Sequence, residues 1–171
     1  LHNEALRHSR PGFRRADGVR FRRRAGKDHF RTGIRLPQAD ALRQARQAVI
    51  DKIMEAKSVA VLTHLNEDPD TIGSCFAFAK VMRKLGKEAT VYVNGRIESR
   101  LAFIGDDYVL YQEGMKHNHD LCACIDCGDL GRIAERKSLF EEINNSINID
   151  HHLTNTNFAD ANYVDGKAAA A

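Results

Sequence analysis

Val59-Ala60-Val61-Leu62-Thr63-His64-Leu65-Asn66-Glu67-Asp68-Pro69-Asp70-Thr71-Ile72-Gly73-Ser74-Cys75 is the stretch on which the reading of this chain turns. Its first four residues are aliphatic and half of them β-branched, the pattern of a short buried strand. The run ends in a histidine, then a polar loop with two aspartates, then Gly73 and Ser74 at the head of an apolar-periodic stretch. Open α/β sheets bind ligands outside the carboxyl ends of their strands, which is where His64, Asp68 and Asp70 fall. Pro69 argues against helix in this loop. In an extended loop residues 68 and 70 project to one side. Two carboxylates that close repel unless a cation lies between them, so the spacing points to a metal.

Working outward, the pattern alternates. Leu42, Ala45, Val49, Ile50, Ile53 and Met54 recur at helical spacing, predicting an amphipathic helix over 39–56 that feeds the strand. Ile72 to Leu85 reads as a second helix with Phe76, Ala79, Val81, Met82 and Leu85 turned inward. Gly86 stands in the position glycine favours after a helix. Strands are predicted at 89–93, 121–125 and 147–149, a short helix at 97–104, and one helix or two short ones over 131–143. Residues 105–119 read as an irregular connection. Strand and helix in alternation predict a Rossmann-like α/β domain, a parallel sheet flanked by helices with right-handed crossovers.

Composition bounds the rest. A chain of 171 residues holds one sizeable core by default, and 43% hydrophobic with 29% charged residues is ordinary for a globular protein. No apolar run approaches the roughly 20 residues that span a bilayer, so no membrane partner is expected. No apolar segment of an export signal follows the basic amino terminus, which predicts a cytoplasmic protein. The net charge of +3 is uneven: residues 1–36 hold eleven Lys and Arg against three acids, and the remainder fifteen against twenty. Residues 1–36 therefore read as a basic, irregular or disordered leader, with a nucleic-acid-gripping arm as the sharper alternative, and 37–171 as the folded domain. Cys75, Cys122, Cys124 and Cys127 lie in strand-like or helix-like segments and read as reduced, packed thiols, not a disulfide or zinc framework.

Three predicted strands end in the same kind of residue: His64, Asp68 and Asp70 after the first, Asp126 after the third, and Asp150, His151 and His152 after the fourth. A parallel sheet brings those ends to one edge. Carboxylate and imidazole without thiolate suit manganese, and less exclusively magnesium, iron or zinc. The number of acids suggests two ions, as in phosphatases and nucleases.

The motifs His64-x-x-x-Asp68-x-Asp70-x-x-Gly73-Ser74, Ile125-Asp126-Cys127-Gly128-Asp129 and Asp150-His151-His152-Leu153-Thr154-Asn155, in that order, resemble the first three motifs of the DHH phosphoesterase family. Residues 162–170 are similar to the segment that follows them, so the likeness covers about residues 40–170. The histidine of the first motif resembles the bacterial branch that degrades very short RNAs and dephosphorylates 3′-phosphoadenosine 5′-phosphate. The resemblance implies that His64 and Asp68 hold one manganese ion and that Asp70 and His151 hold the other. It further implies that Asp126 bridges them, that Asp150 orients an imidazole, and that His152 faces the substrate phosphate. Asp126, Asp150 and His152 are thus the catalytic candidates. Ser74, Arg132 and Asn155 are candidates for substrate contact, beside plainer roles in a helix start, a helix surface and a turn.

Two departures stand out. Glu67 occupies a position where the family often has proline, with Pro69 between the aspartates. The family's last metal ligand and its C-terminal substrate-binding domain, of the DHHA1 type, are not found before Ala171. The expectation is an amino-terminal part of a longer enzyme, with weak or no activity by itself and a homodimer possible. The alternatives are a catalytically incomplete domain that only binds metal or phosphate, and a cyclic-dinucleotide phosphodiesterase.

Overall fold

Ser58–Leu62 forms β1, buried at every residue, and the sheet is built outward from it in a computed structural model that describes residues 38–171. The leader expected over 1–36 lies outside the described residues. β1 follows α1 (Gln38–Glu55) and precedes α2 (Pro69–Lys84) and β2 (Glu88–Val93). A 3-10 turn at Ser99–Leu101 leads to β3 (Tyr108–Leu110) and then β4 (Leu121–Ile125). A 3-10 segment at Leu130–Arg136 runs into α3 (Lys137–Glu142), and β5 (Ser146–Asp150) and β6 (Ala161–Val164) complete the sheet.

The six strands lie in the order β3-β2-β1-β4-β5-β6 and every pairing is parallel. The expected α/β architecture is therefore present. The period of two along each strand splits the core into two layers. Val59, Val61, Val91, Ala123, Ile125 and Ile147 face Val49, Ile72, Cys75, Ala79 and Met82 of α1 and α2. Ala60, Leu62, Tyr92, Cys122 and Cys124 face Ile133, Leu139, Phe140 and Ile143. All four cysteines are buried and free, as their strand-like or helix-like surroundings predicted.

Three sequence expectations are corrected. α2 begins at Pro69 and not near Ile72, because Asp68 is its N-cap and accepts from the amides of Asp70 and Thr71 at 3.0 Å each. Proline is well suited to the first helical position, where its missing N–H is no loss, so Pro69 starts the helix it was expected to prevent. Asp68 and Asp70 accordingly do not flank a residue in an extended loop. The segment 105–119 contains the edge strand β3, and the stretch after Asp-His-His contains the other edge strand, β6. The helix expected over 97–104 is reduced to one 3-10 turn.

Strand order reverses between β1 and β4. In doubly wound sheets the crevice outside the carboxyl ends of two such strands is the ligand site. No helix among the described residues is long and apolar enough to cross a membrane.

Candidate metal centre at the strand tips

The backbone beyond β1 and β4 keeps the ladder going for one further step, with the Thr63 amide on the Tyr92 carbonyl and the Asp126 amide on the Ile149 carbonyl. His64 and Asp126 are thus placed by the sheet itself and lie almost fully buried. Asp126 takes a φ of +58°. That left-handed conformation is uncommon for a residue with a Cβ, and such strain persists where surrounding structure imposes it, often at functional sites.

Each carboxylate of the site divides its two oxygens between distinct tasks. Asp68 spends Oδ1 on capping α2 and turns Oδ2 to within 3.6 Å of His64 Nε2. Asp70 keeps Oδ1 3.0 Å from the Ser74 hydroxyl and presents Oδ2 at 3.5 Å from His151 Nε2. Asp126 points Oδ2 at His64 Nε2 (3.6 Å) and Oδ1 at His151 Nε2 (3.4 Å). Asp150 has no oxygen facing these three, since its Oδ1 accepts from His152 Nδ1 at 2.7 Å and its Oδ2 accepts from the Asn155 amide.

The histidine tautomers follow from their partners. A carbonyl oxygen only accepts, so Nδ1 of His64, 2.6 Å from the Leu65 carbonyl, carries the proton. The same holds for His151, whose Nδ1 is 3.2 Å from the Ala168 carbonyl. Both rings therefore turn Nε2, the nitrogen left for a metal, toward carboxylates. His152 donates through Nδ1 to Asp150, so its Nε2 is left for an external partner on a side chain 38% exposed.

The electrostatics agree. Burial disfavours the Asp150 carboxylate, yet hydrogen bonds from Asn155, His152 and two backbone amides outweigh it and hold its pKa below the usual value. Burial lowers the pKa of His64, but Asp126, the Leu65 carbonyl and Asp68 reverse this and leave it raised. The crowd of carboxylates attracts positive charge to Nε2. Asp126 Oδ1 is buried without a hydrogen-bond partner, a costly state for an ionised oxygen. Two groups of donor atoms lie close enough together to share an ion: His64, Asp68 and Asp126, and Asp126, His151 and His152. Asp126 belongs to both. A cation at the second group would satisfy the orphaned Oδ1 and one at the first would lie against Oδ2, so the residues present fit a divalent metal.

The remaining sequence candidates have plainer surroundings. Ser74 supports Asp70. Asn155 gives its amide to Asp150, Asn148 and the Cys127 carbonyl and accepts from the Asn157 amide, so both of its ends are engaged within the protein. Arg132 sits near enough to His64 to oppose its protonation, and its carbonyl accepts from the Leu65 amide at 2.7 Å. Asp129 caps the 3-10 segment through the Gly131 amide. Sequence reasoning missed Asn148, whose Oδ1 anchors Asn155, and Arg136, which lies buried behind β1. No spacing rule marks either.

Fold and site together define an α/β protein with a histidine–aspartate metal-type centre at the switch point of a parallel sheet. Residues 58–171 match the DHH family, N-terminal domain, and the chain belongs to that family. It is 27% identical over 129 residues to the "Probable bifunctional oligoribonuclease and PAP phosphatase NrnA" of Streptococcus mutans, a match spanning 74% of this chain and 40% of that protein. It also resembles the crystal structure of an exopolyphosphatase-related protein from Bacteroides fragilis, with a TM-score of 0.67 and 21% identity over 75% of this chain and 40% of that one. The chain thus spans about 40% of the length of each.

Proposed function

We propose that this domain supplies the binuclear metal site of a phosphoesterase acting on short oligoribonucleotides, on 3′-phosphoadenosine 5′-phosphate, or on both. His64 and Asp68 would hold one divalent ion, Asp70 and His151 the other, and Asp126 both. The observation that carries the reading is Asp126: a buried carboxylate with one oxygen toward each histidine and no hydrogen bond to Oδ1. Oxygen and nitrogen donors without thiolate favour manganese, with magnesium an alternative. When bound, such a pair of ions activates water at neutral pH and offsets charge on the phosphoryl oxygens.

The chain's own residues do the rest. Asp150, held ionised by Asn155, fixes the His152 ring and keeps its Nδ1 protonated. His152 Nε2, not engaged by Asp150, is the atom that would donate a proton to the departing ester oxygen. Asp68 and Asp70 stand at the amino end of α2, with Asp68 as its N-cap. The similarity to NrnA supports the substrate class, and the carboxylate–imidazole donor set supports manganese. A cytoplasmic location and a further substrate-binding domain belong to the same reading, and a homodimer is compatible with it.

The activity is tested by manganese-dependent release of AMP from diadenylate, and of phosphate from 3′-phosphoadenosine 5′-phosphate, by the protein in its full reading frame. The site is tested on the 171-residue chain by the number of manganese ions bound. Binding of none, or equal turnover with and without EDTA, overturns the proposal.

A further inference from the structure

Arg136 is the largest fully buried side chain among the described residues, and the metal-centre chemistry does not use it. Its hydrogen bonds go to uncharged groups: Nη1 donates to Thr63 Oγ1 at 2.6 Å and to the Tyr92 carbonyl at 2.7 Å, and Nε to the Ile133 carbonyl at 3.3 Å. Nη2 has no partner. A buried cation without a compensating charge is costly, and a charge is reached through one intermediary. The Thr63 hydroxyl lies 3.2 Å from Glu67 Oε1, which also accepts from the Asn94 amide at 2.9 Å. Burial pushes the Arg136 pKa down, and Glu67 is foremost among the groups opposing it. Glu67 is the residue that stands where proline is common in the resembling family.

These bonds bracket the metal-facing residues of the first motif. Thr63 precedes His64, and Leu65, bonded to the Arg132 carbonyl, follows it. Glu67 precedes Asp68. The 130–136 segment reaches both sides of His64 only by placing Ala134 at φ +49°, ψ −127°, a conformation that costs energy for a residue with a Cβ.

We propose that Glu67 and Arg136, coupled through Thr63, are a positioning pair that sets His64 and Asp68 for metal binding. The inference rests on the reading of that half-site as a divalent-cation site. The pair touches neither metal nor substrate and acts through the backbone on either side of the ligands.

The test is manganese titration of the EDTA-stripped 171-residue chain, followed by electron paramagnetic resonance, with the melting temperature of the metal-free protein measured alongside. Supporting groups around metal ligands are worth about 10–100-fold in affinity. Glu67→Ala should weaken one of the two manganese equivalents by about tenfold. The metal-free melting temperature should fall modestly, because Arg136 loses its compensating charge, while the second equivalent stays close to wild type. Glu67→Gln, which keeps the acceptor oxygen for Thr63 and the Asn94 amide but not the charge, should restore only part of the loss. Arg136→Lys, which cannot reproduce the fork, should weaken the same equivalent. The double variant Glu67→Ala/Arg136→Lys should lose less than the sum of the two, since both act on one unit. If Arg136→Lys fails to fold, the Glu67 variants still decide. Wild-type binding in Glu67→Ala, or loss of both equivalents in step with a lowered melting temperature, overturns the inference alone. A wild-type chain that takes up no manganese overturns the metal-site reading and this inference with it.

Discussion

Replacing Asp126 by Asn should make the metal-free protein more stable and abolish its response to metal. In the metal-free site Asp126 is a carboxylate with a 2% exposed side chain and an unpaired Oδ1. An unsatisfied buried acceptor costs about 1–3 kcal/mol, more when charged. An amide nitrogen in the place of Oδ1 lies 3.4 Å from His151 Nε2 and can donate to the neutral ring. The substitution therefore removes a buried charge and gains a hydrogen bond, worth about 1–3 kcal/mol together. For a domain of this size that is a rise of roughly 3–9 °C in melting temperature. Metal at a hundredfold excess over its dissociation constant stabilises the wild type by about 2.7 kcal/mol per site, or roughly 8 °C. The variant should lose that increment. Calorimetric melts in EDTA and in manganese decide the matter. An Asp126→Asn protein that melts below wild type in EDTA, yet still gains from manganese, refutes the reasoning.

Other outcomes follow from the same geometry. Asn155→Ala removes a donor that depresses the Asp150 pKa, so the acid limb of the pH–rate profile of the full-length protein should move to higher pH; an unmoved limb argues against Asp150 as the group that orients His152. Burial and the stacked His117 hold the His119 pKa below its ordinary value, so the fold favours its neutral form. Its contribution to stability is complete above about pH 6.5 and is lost as pH falls from there through the folded value. A two-dimensional NMR titration with urea melts at several pH values checks this, and a raised His119 pKa contradicts it. Ile147→Ala, at a fully buried position of β5, should cost about 2–5 kcal/mol in urea unfolding.

The strand tips were legible because parallel pairing converts distance in sequence into proximity. Once β1, β4 and β5 are recognised, His64, Asp126 and His151 must meet, and the observed 3.4–3.6 Å separations follow. The edge strands were not legible. Tyr108–Leu110 spans three residues behind two aspartates, and Ala161–Val164 spans four, too short to show a period. The start of α2 is ambiguous in the sequence because proline forbids a helix interior but suits a helix beginning, and Pro69 satisfies either reading. Arg136 resisted for another reason. A charge inside a helical pattern reads as surface, and only tertiary packing places this one behind β1.

The four thiols sealed in the core give the molecule an internal reporter. Burial raises the pKa of Cys75 and Cys127 far above that of a free thiol, and Cys124 is raised as well. Alkylating reagents consequently find almost no thiolate while the sheet is closed. Labelling must wait for an opening event, so its rate counts how often β4 and α2 come apart, and mass spectrometry of the tagged peptides would say which parts the company first.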